Sequence, residues 1–340
     1  MGPLSAVASP SEGAAIAMRG LTKKFGDLVA VDHIDLEIRR GEIFGLLGPN
    51  GAGKTTTISM LVTIRPITEG TATVNGFDVA REPSKVRSSC GIVFQEPSID
   101  TTLTARENLE LHARLYAVPK GVRKQRIEEL LALVDLKDRE DSIVKTFSGG
   151  MKRRLEIARG LLHHPPIIFL DEPTLGLDPQ TRQYIWQYIE RLRREMGTTF
   201  VLTTHYMEEA DRLCDRIGII DHGKIVALGT PKELKDSLGG DTVVLQMQDP
   251  PVEAFRALPF VSKVDVRDGA VWLSVDKATA NLPKIFHAAG EGEILGVELR
   301  RPTLEDVFIR HTGRSIRQPE ESEGEGWFGQ VMNYTASTNR

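Results

Sequence analysis

Apolar and polar positions set the outline of this chain before any motif is considered. Short strand patterns appear at Ile16–Met18 and, with alternating character, at Val31–Ile38. The run Glu42–Leu47 is apolar on both faces, as a buried parallel strand should be. A glycine-rich loop and a helix of Thr, Ile and Leu follow it. Strand signals recur at Thr71–Val74, Gly91–Gln95, Ile167–Leu170, Thr199–Thr203 and Arg216–Ile220. Between Thr101 and Arg159 the period changes. Apolar residues at i, i+3 and i+4 predict helices over Glu107–Leu115, Lys120–Val134 and Lys152–Leu162. Two more are expected at Ile185–Glu195 and Tyr206–Cys214, the second opened by Glu208 and Glu209 in its first turn.

After a short helix at Pro231–Leu238, Gly239-Gly240 marks a boundary, and a second pattern begins. Strands are expected at Val243–Met247, Lys263–Val266, Ala270–Val275 and Ile294–Arg300, with a turn through Asp268-Gly269. Helices are expected at Val252–Leu258, Leu282–Ala289 and Leu304–His311. The chain of 340 residues thus divides into two domains. Residues 16–238 form a large α/β domain with a helical part over about 100–160, and residues 241–314 form a small α+β domain. Residues 1–15 and the acidic stretch 315–340 read as disordered tails.

Composition removes whole classes of function. A hydrophobic share of 40% with 26% charged residues excludes a disordered chain, a collagen-like repeat and a multi-span membrane protein. No apolar run reaches the length of about 18 residues that a spanning helix needs. The first residues lack the charged start and apolar core of a secretory signal. A net charge of −4 gives no reason to expect a nucleic-acid partner. Cys90 and Cys214 read as small buried hydrophobes, not as a disulfide framework, and a cytoplasmic location follows. Asn333-Tyr334-Thr335 fits a glycosylation acceptor that has no use there.

The chemistry lies where the glycines fall. Gly48-Pro49-Asn50-Gly51-Ala52-Gly53-Lys54-Thr55, followed by Thr56, matches G-x-x-x-x-G-K-S/T between a buried strand and a helix. Glycines let successive N–H groups point inward, and the helix start adds partial positive charge. Lys54 is expected to reach the β- and γ-phosphates of a bound nucleotide, and the Thr55 hydroxyl to ligate Mg²⁺. Ile167-Ile168-Phe169-Leu170 carries Asp171-Glu172 at the carboxyl end of a buried strand, where open α/β sheets bind ligands. Asp171 is the metal-side candidate and Glu172 the general base.

Ser148-Gly149-Gly150-Met151 opens the next helix as a second anion-binding turn, a serine cap followed by two glycines. Two phosphate-type turns and one Walker-type strand suggest a site shared between two copies. His205 follows an apolar strand in Thr-Thr-His. His163-His164 reads as a helix end favoured by the dipole, not as a metal site.

In order, GPNGAGKT, Gln95, FSGGM, IIFLDEP, Leu177-Asp178 and His205 resemble the ATPase subunits of ABC transporters over Ile16 to Leu234. The resemblance implies a P-loop ABC-type ATPase domain, with a RecA-like core, an antiparallel β subdomain and a helical subdomain. It implies a head-to-tail homodimer with each ATP between the phosphate loop of one copy and the Ser148 turn of the other. Phe25 then corresponds to the aromatic that stacks on adenine, and Gln95 to the glutamine that meets Mg²⁺ and the attacking water. Ser148, Gly149 and Gly150 correspond to contacts on the opposite copy's γ-phosphate, Asp178 to a link across the dimer, and His205 to a γ-phosphate contact. Two positions depart from the usual signature: Phe147 replaces Leu, and Met151 replaces a Gln whose hydrogen bond it cannot make.

The family further implies a separate membrane-spanning permease, contacted by the helical part, with this subunit peripheral on the inner face of the membrane. The segment Arg301-Pro302-Thr303-Leu304-Glu305-Asp306-Val307-Phe308 resembles the tail of drug-export ATPases of the daunorubicin-resistance type, where it is associated with regulation and dimer contacts. The expected function is therefore ATP hydrolysis that powers export of drugs or antibiotics. Another cargo (sodium, glycan or lipid) is the first alternative, and an ABC-type ATPase acting on ribosomes or DNA the second.

Overall fold

The computed structural model describes residues 13–95, 98–267, 269–290 and 292–313. The expected tails over 1–12 and 315–340, Asp268 of the Asp268-Gly269 turn and the Asn333–Thr335 acceptor lie outside them. The chain forms two units, one through Lys232 and one from Glu233.

The first unit holds two sheets. An antiparallel sheet has the order Leu28–Arg39, Ala14–Phe25, Glu69–Val74, Phe77–Asp78. Its first strand begins at Ala14, inside the segment expected as tail, because Ala15 is buried in the core beside Ile16 and Met18. A six-stranded sheet has the order Lys224–Gly229, Arg216–Asp221, Ile43–Leu47, Thr199–Thr204, Ile167–Asp171, Cys90–Val93. Its strands run parallel except at the Lys224–Gly229 edge. Ile43–Leu47 and Ile167–Asp171 are buried at every residue, as central parallel strands packed on both faces should be.

This strand order positions the chemistry. Ile43–Leu47, Thr199–Thr204 and Ile167–Asp171 are neighbours in parallel register, with Leu47 paired to Thr204 and Asp171 to Thr203. Their carboxyl ends therefore bring the phosphate loop, Asp171-Glu172 and His205 to one edge of the sheet. The helices Ala105–Leu115, Lys120–Leu133 and Gly149–Leu161 make up the helical part. The first is opened by Thr104 and Glu107, each accepting a hydrogen bond from the other's backbone N–H.

The second unit has the element order βαββαβ and an antiparallel sheet ordered Val261–Arg267, Ala270–Val275, Asp241–Met247, Ile294–Arg300. That is the split βαβ arrangement of ferredoxin-like folds. Val243, Leu245, Val271 and Leu273 pack on one face with Phe255 of the helix Val252–Arg256 and Ile285 of the helix Ala278–Ala289. The last helix, Leu304–Thr312, is capped by Thr303 and Asp306. The α/β class with a small α+β unit, expected from the sequence, is the fold observed.

Candidate active site

The phosphate loop depends on backbone geometry that side chains would spoil. Gly53 sits at φ +106° and caps the helix Lys54–Leu61, with no side chain competing for the helix's first N–H groups. A Cβ on Gly53 would lie 2.5 Å from the carbonyl oxygen of Ala30, and one on Gly48 only 2.3 Å from that of Ile220. Gly48, Ala52 and Gly53 are buried, Pro49 and Thr56 half-buried, and Asn50, Gly51 and Thr55 exposed. The loop is thus anchored at its ends and open along its outer arc.

Lys54, Glu172 and His205 form one connected group. The Lys54 ammonium donates to the carbonyls of Gly48 at 2.8 Å and Pro49 at 3.1 Å, and lies 3.1 Å from Glu172 Oε1. The other carboxylate oxygen, Oε2, is 2.6 Å from His205 Nδ1. Lys54 and Glu172 are both buried. Burial alone would push the Glu172 carboxyl up, but the hydrogen bond from His205 and then the Lys54 charge outweigh it. The carboxyl is held below the usual carboxylate range. An ionised carboxylate needs donors, so the Nδ1–H of His205 donates to Glu172 Oε2. Glu172 also has φ +49°, a conformation that non-glycine residues hold only when their surroundings impose it.

Asp171 stands beside this group. Its Oδ1 accepts from Thr55 Oγ1 at 3.1 Å and from Thr203 Oγ1 at 2.5 Å, and the same Thr203 hydroxyl accepts from the Glu172 N–H at 3.0 Å. A hydroxyl and a carboxylate side by side are hard oxygen donors of the kind Mg²⁺ takes. Among the described residues no group of three or more His, Cys, Asp or Glu could hold a metal. Mg²⁺ suits such a sparse site, because it keeps water and phosphate oxygens as most of its ligands.

The remaining expected residues share no hydrogen bond with this cluster among the described residues. Ser148 caps the helix Gly149–Leu161, its Oγ accepting from Met151 N at 3.3 Å. Asp178 caps Pro179–Met196, accepting from Thr181 N at 3.0 Å and Thr181 Oγ1 at 2.6 Å. These two caps are neighbours: a Cβ on Gly150 would lie 2.4 Å from Thr181 Cγ2, and one on Gly149 would lie 3.5 Å from Leu177 Cδ2. Ser148 and Gly149 are exposed. Gln95 is exposed just beyond the strand Cys90–Val93. Phe25 is 40% exposed at the end of its strand, with Lys23 Nζ 5.2 Å and the Arg65 guanidinium 5.3 Å from its ring centre. Among the described residues, no hydrogen bond or ion pair joins Phe25, Gln95, Ser148 or Asp178 to Lys54 or Glu172.

Several side chains were not anticipated. Arg153, Glu156 and Arg159 form a buried charged row at i, i+3 and i+6 of the helix after Ser148. Their spacing was visible, but exposed i, i+3 pairs look the same in a sequence. Glu209, expected only to favour a helix dipole, is fully buried, accepting from Thr174 Oγ1 at 2.8 Å and Trp186 Nε1 at 3.0 Å. Burial pushes its carboxyl up. The dipole reading of His163-His164 is also corrected. His163 stacks on Tyr116 at 4.1 Å with Nε2 3.1 Å from the Cys90 carbonyl, and burial pushes both histidines down, towards the neutral form.

Residues 31–175 match the ABC transporter family, and residues 229–312 match the C-terminal domain of DrrA1-3-like ATP-binding proteins. The linearmycin resistance ATP-binding protein LnrL of Bacillus subtilis is 40% identical, over 87% of this chain and 98% of its own length. The daunorubicin resistance ATP-binding protein DrrA2 of Streptomyces coeruleorubidus is 40% identical, over 92% and 99%. A dimeric ATP-binding cassette solved after hydrolysis, with ADP and Pi, superposes with a TM-score of 0.58 at 30% identity, covering 63% of this chain and 98% of that one. Fold, motif order and likeness over nearly the full length of these relatives agree: the chain is an ATP-hydrolysing, ATP-binding subunit of the ABC transporter family, the kind of subunit that works with a membrane permease, and it carries a DrrA-type C-terminal domain.

Proposed function

We propose that this subunit hydrolyses ATP to power the export of drugs or antibiotics through a separate permease. The Lys54–Glu172–His205 group, together with Asp171 and Thr55, carries the catalytic reading. The loop Gly48–Thr56 cradles the triphosphate, and Lys54 leaves Glu172 for the β- and γ-phosphates. Thr55 and Asp171, with Gln95, hold Mg²⁺, which when bound neutralises charge on the phosphate oxygens. Glu172, freed from Lys54, takes a proton from water as the water oxygen bonds to the γ-phosphorus and the bond to the ADP oxygen breaks. His205 orients the carboxylate through Nδ1, and a ring N–H of His205 donates to the γ-phosphate once nucleotide is bound. Phe25 stacks on adenine by its exposed face.

Two copies close over two nucleotides in this reading. Ser148, Gly149 and Gly150 present a helix start to the γ-phosphate held by the other copy, and Asp178 adjoins that turn. The exposure of Ser148 and Gly149 supports this, as does the dimeric state of the similar cassette. Among the described residues no helix is long and apolar enough to cross a membrane. In this reading the subunit sits on the inner face of the membrane, held there by its permease, and the domain over 241–314 acts in regulation and dimer contact. The names of the resistance proteins it resembles support drugs as cargo. Deleting this chain from its host and scoring sensitivity to a panel of amphipathic antibiotics tests the cargo. Restoration by the wild-type chain but not by Lys54→Ala is expected, and unchanged sensitivity across the panel removes the drug reading.

A further inference from the structure

We propose that Arg153 is a positioning residue that sets Glu172 and Gln95 in register for attack by water. The proposal rests on the reading of Glu172 as general base. The Arg153 guanidinium reaches backbone carbonyls on both sides of Glu172. Nε donates to the carbonyl of Pro173 at 2.7 Å, and Nη2 to that of Asp171 at 2.9 Å. Between these two anchors Glu172 holds its φ of +49°. Nη1 donates to the carbonyl of Phe94, in the peptide that leads into Gln95, and to Glu156 Oε2 at 3.1 Å. A single planar fork of five N–H groups can serve all these acceptors, and no other side chain can.

The surroundings keep that fork in place. Arg153 is 7% exposed and Glu156 fully buried, so the pair has no water to rearrange through. The other oxygen of Glu156 accepts from Ser98 N at 2.7 Å, and Arg159 Nη1 donates to the Ser98 carbonyl at 2.6 Å. The segment on each side of Gln95 is therefore held by the helix Gly149–Leu161. The same helix begins at the Ser148 turn, so the element offered to a second copy is the one that holds the base of its own site. Arg153 touches no reacting atom; it acts through the backbone at 171, 173 and 94.

The experiment compares steady-state hydrolysis and fluorescent-ATP binding of the full chain with Arg153→Lys, the double variant Arg153→Gln/Glu156→Gln, and Glu172→Gln. The double variant removes both buried charges together, so that neither is left unpaired. Its kcat is expected to fall about 100-fold, the effect of a misplacement near 1 Å, with KM and nucleotide affinity within about twofold. Arg153→Lys, which keeps the charge but not the fork, should recover part of kcat. A folded double variant with wild-type kcat overturns the proposal, and so does a loss of nucleotide affinity in proportion to kcat, which marks a merely structural role. Wild-type turnover by Glu172→Gln instead overturns the base assignment on which the proposal rests.

Discussion

The ammonium of Lys54 lies 3.1 Å from Oε1 of Glu172, so the residue proposed to hold phosphate and the residue proposed to activate water form an ion pair with each other. Binding of a triphosphate must break this pair, and breaking it releases the base. Glu172→Gln removes the competitor for Lys54 and also removes the base. ATP affinity should rise while turnover falls about 100-fold or more, with accumulation of an ATP-bound dimer. Phosphate release and light scattering check both halves, and wild-type turnover would count against the assignment.

Lys54→Ala acts in the opposite direction. It removes a phosphate ligand and leaves the buried Glu172 carboxylate with His205 alone. Fluorescent-ATP titration should register loss of affinity of about tenfold or more, the scale of one charge-assisted hydrogen bond. Unchanged affinity would remove Lys54 from the phosphate site.

Phe25→Ala tests the adenine contact separately. The ring is 40% exposed and flanked by Lys23 and Arg65, a setting in which a base can stack. ATP affinity should weaken about 5- to 150-fold, the 1–3 kcal/mol typical of base–aromatic stacking, while free triphosphate competes as before. Equal ATP affinity in the variant would exclude stacking at this position.

The pH dependence of stability turns on a histidine outside the site. Burial pushes His112 down from 6.5 to about 4, and His163 and His164 move the same way. A base whose folded pKa lies below its unfolded value is protonated more readily in the unfolded chain, so stability falls as pH drops from 6.5 towards 4. Glu172, held low, adds to the loss only as pH falls below its ordinary 4.5. Denaturant melts at pH 7 and pH 5 should differ, and His112→Gln should flatten that slope. An unaltered slope would exclude His112 as its source.

What could be read from the chain followed the range of each interaction. Gly48–Thr55 and Asp171-Glu172 were legible because their chemistry is written in consecutive residues beside buried strands. Arg153 was not, because its acceptors at Phe94, Asp171 and Pro173 are brought to it only by the fold. Glu209 resembles any acid in a first helical turn until Thr174 and Trp186 close over it. The edge strand Lys224–Gly229 went unread because a register shift between Ile225 and Ala227 breaks its alternation. The helix Pro83–Ser89 was missed for a similar reason, with only two buried residues in its length.

A methyl group on Gly150 would meet Thr181 Cγ2 at 2.4 Å, so nothing larger than glycine fits there unless the Thr181 side chain gives way. On the two-copy reading, this one contact couples the two helix starts that a second copy would meet. A larger side chain at 150 therefore needs a smaller one at 181, and Thr181→Ala should relieve the cost of Gly150→Ala.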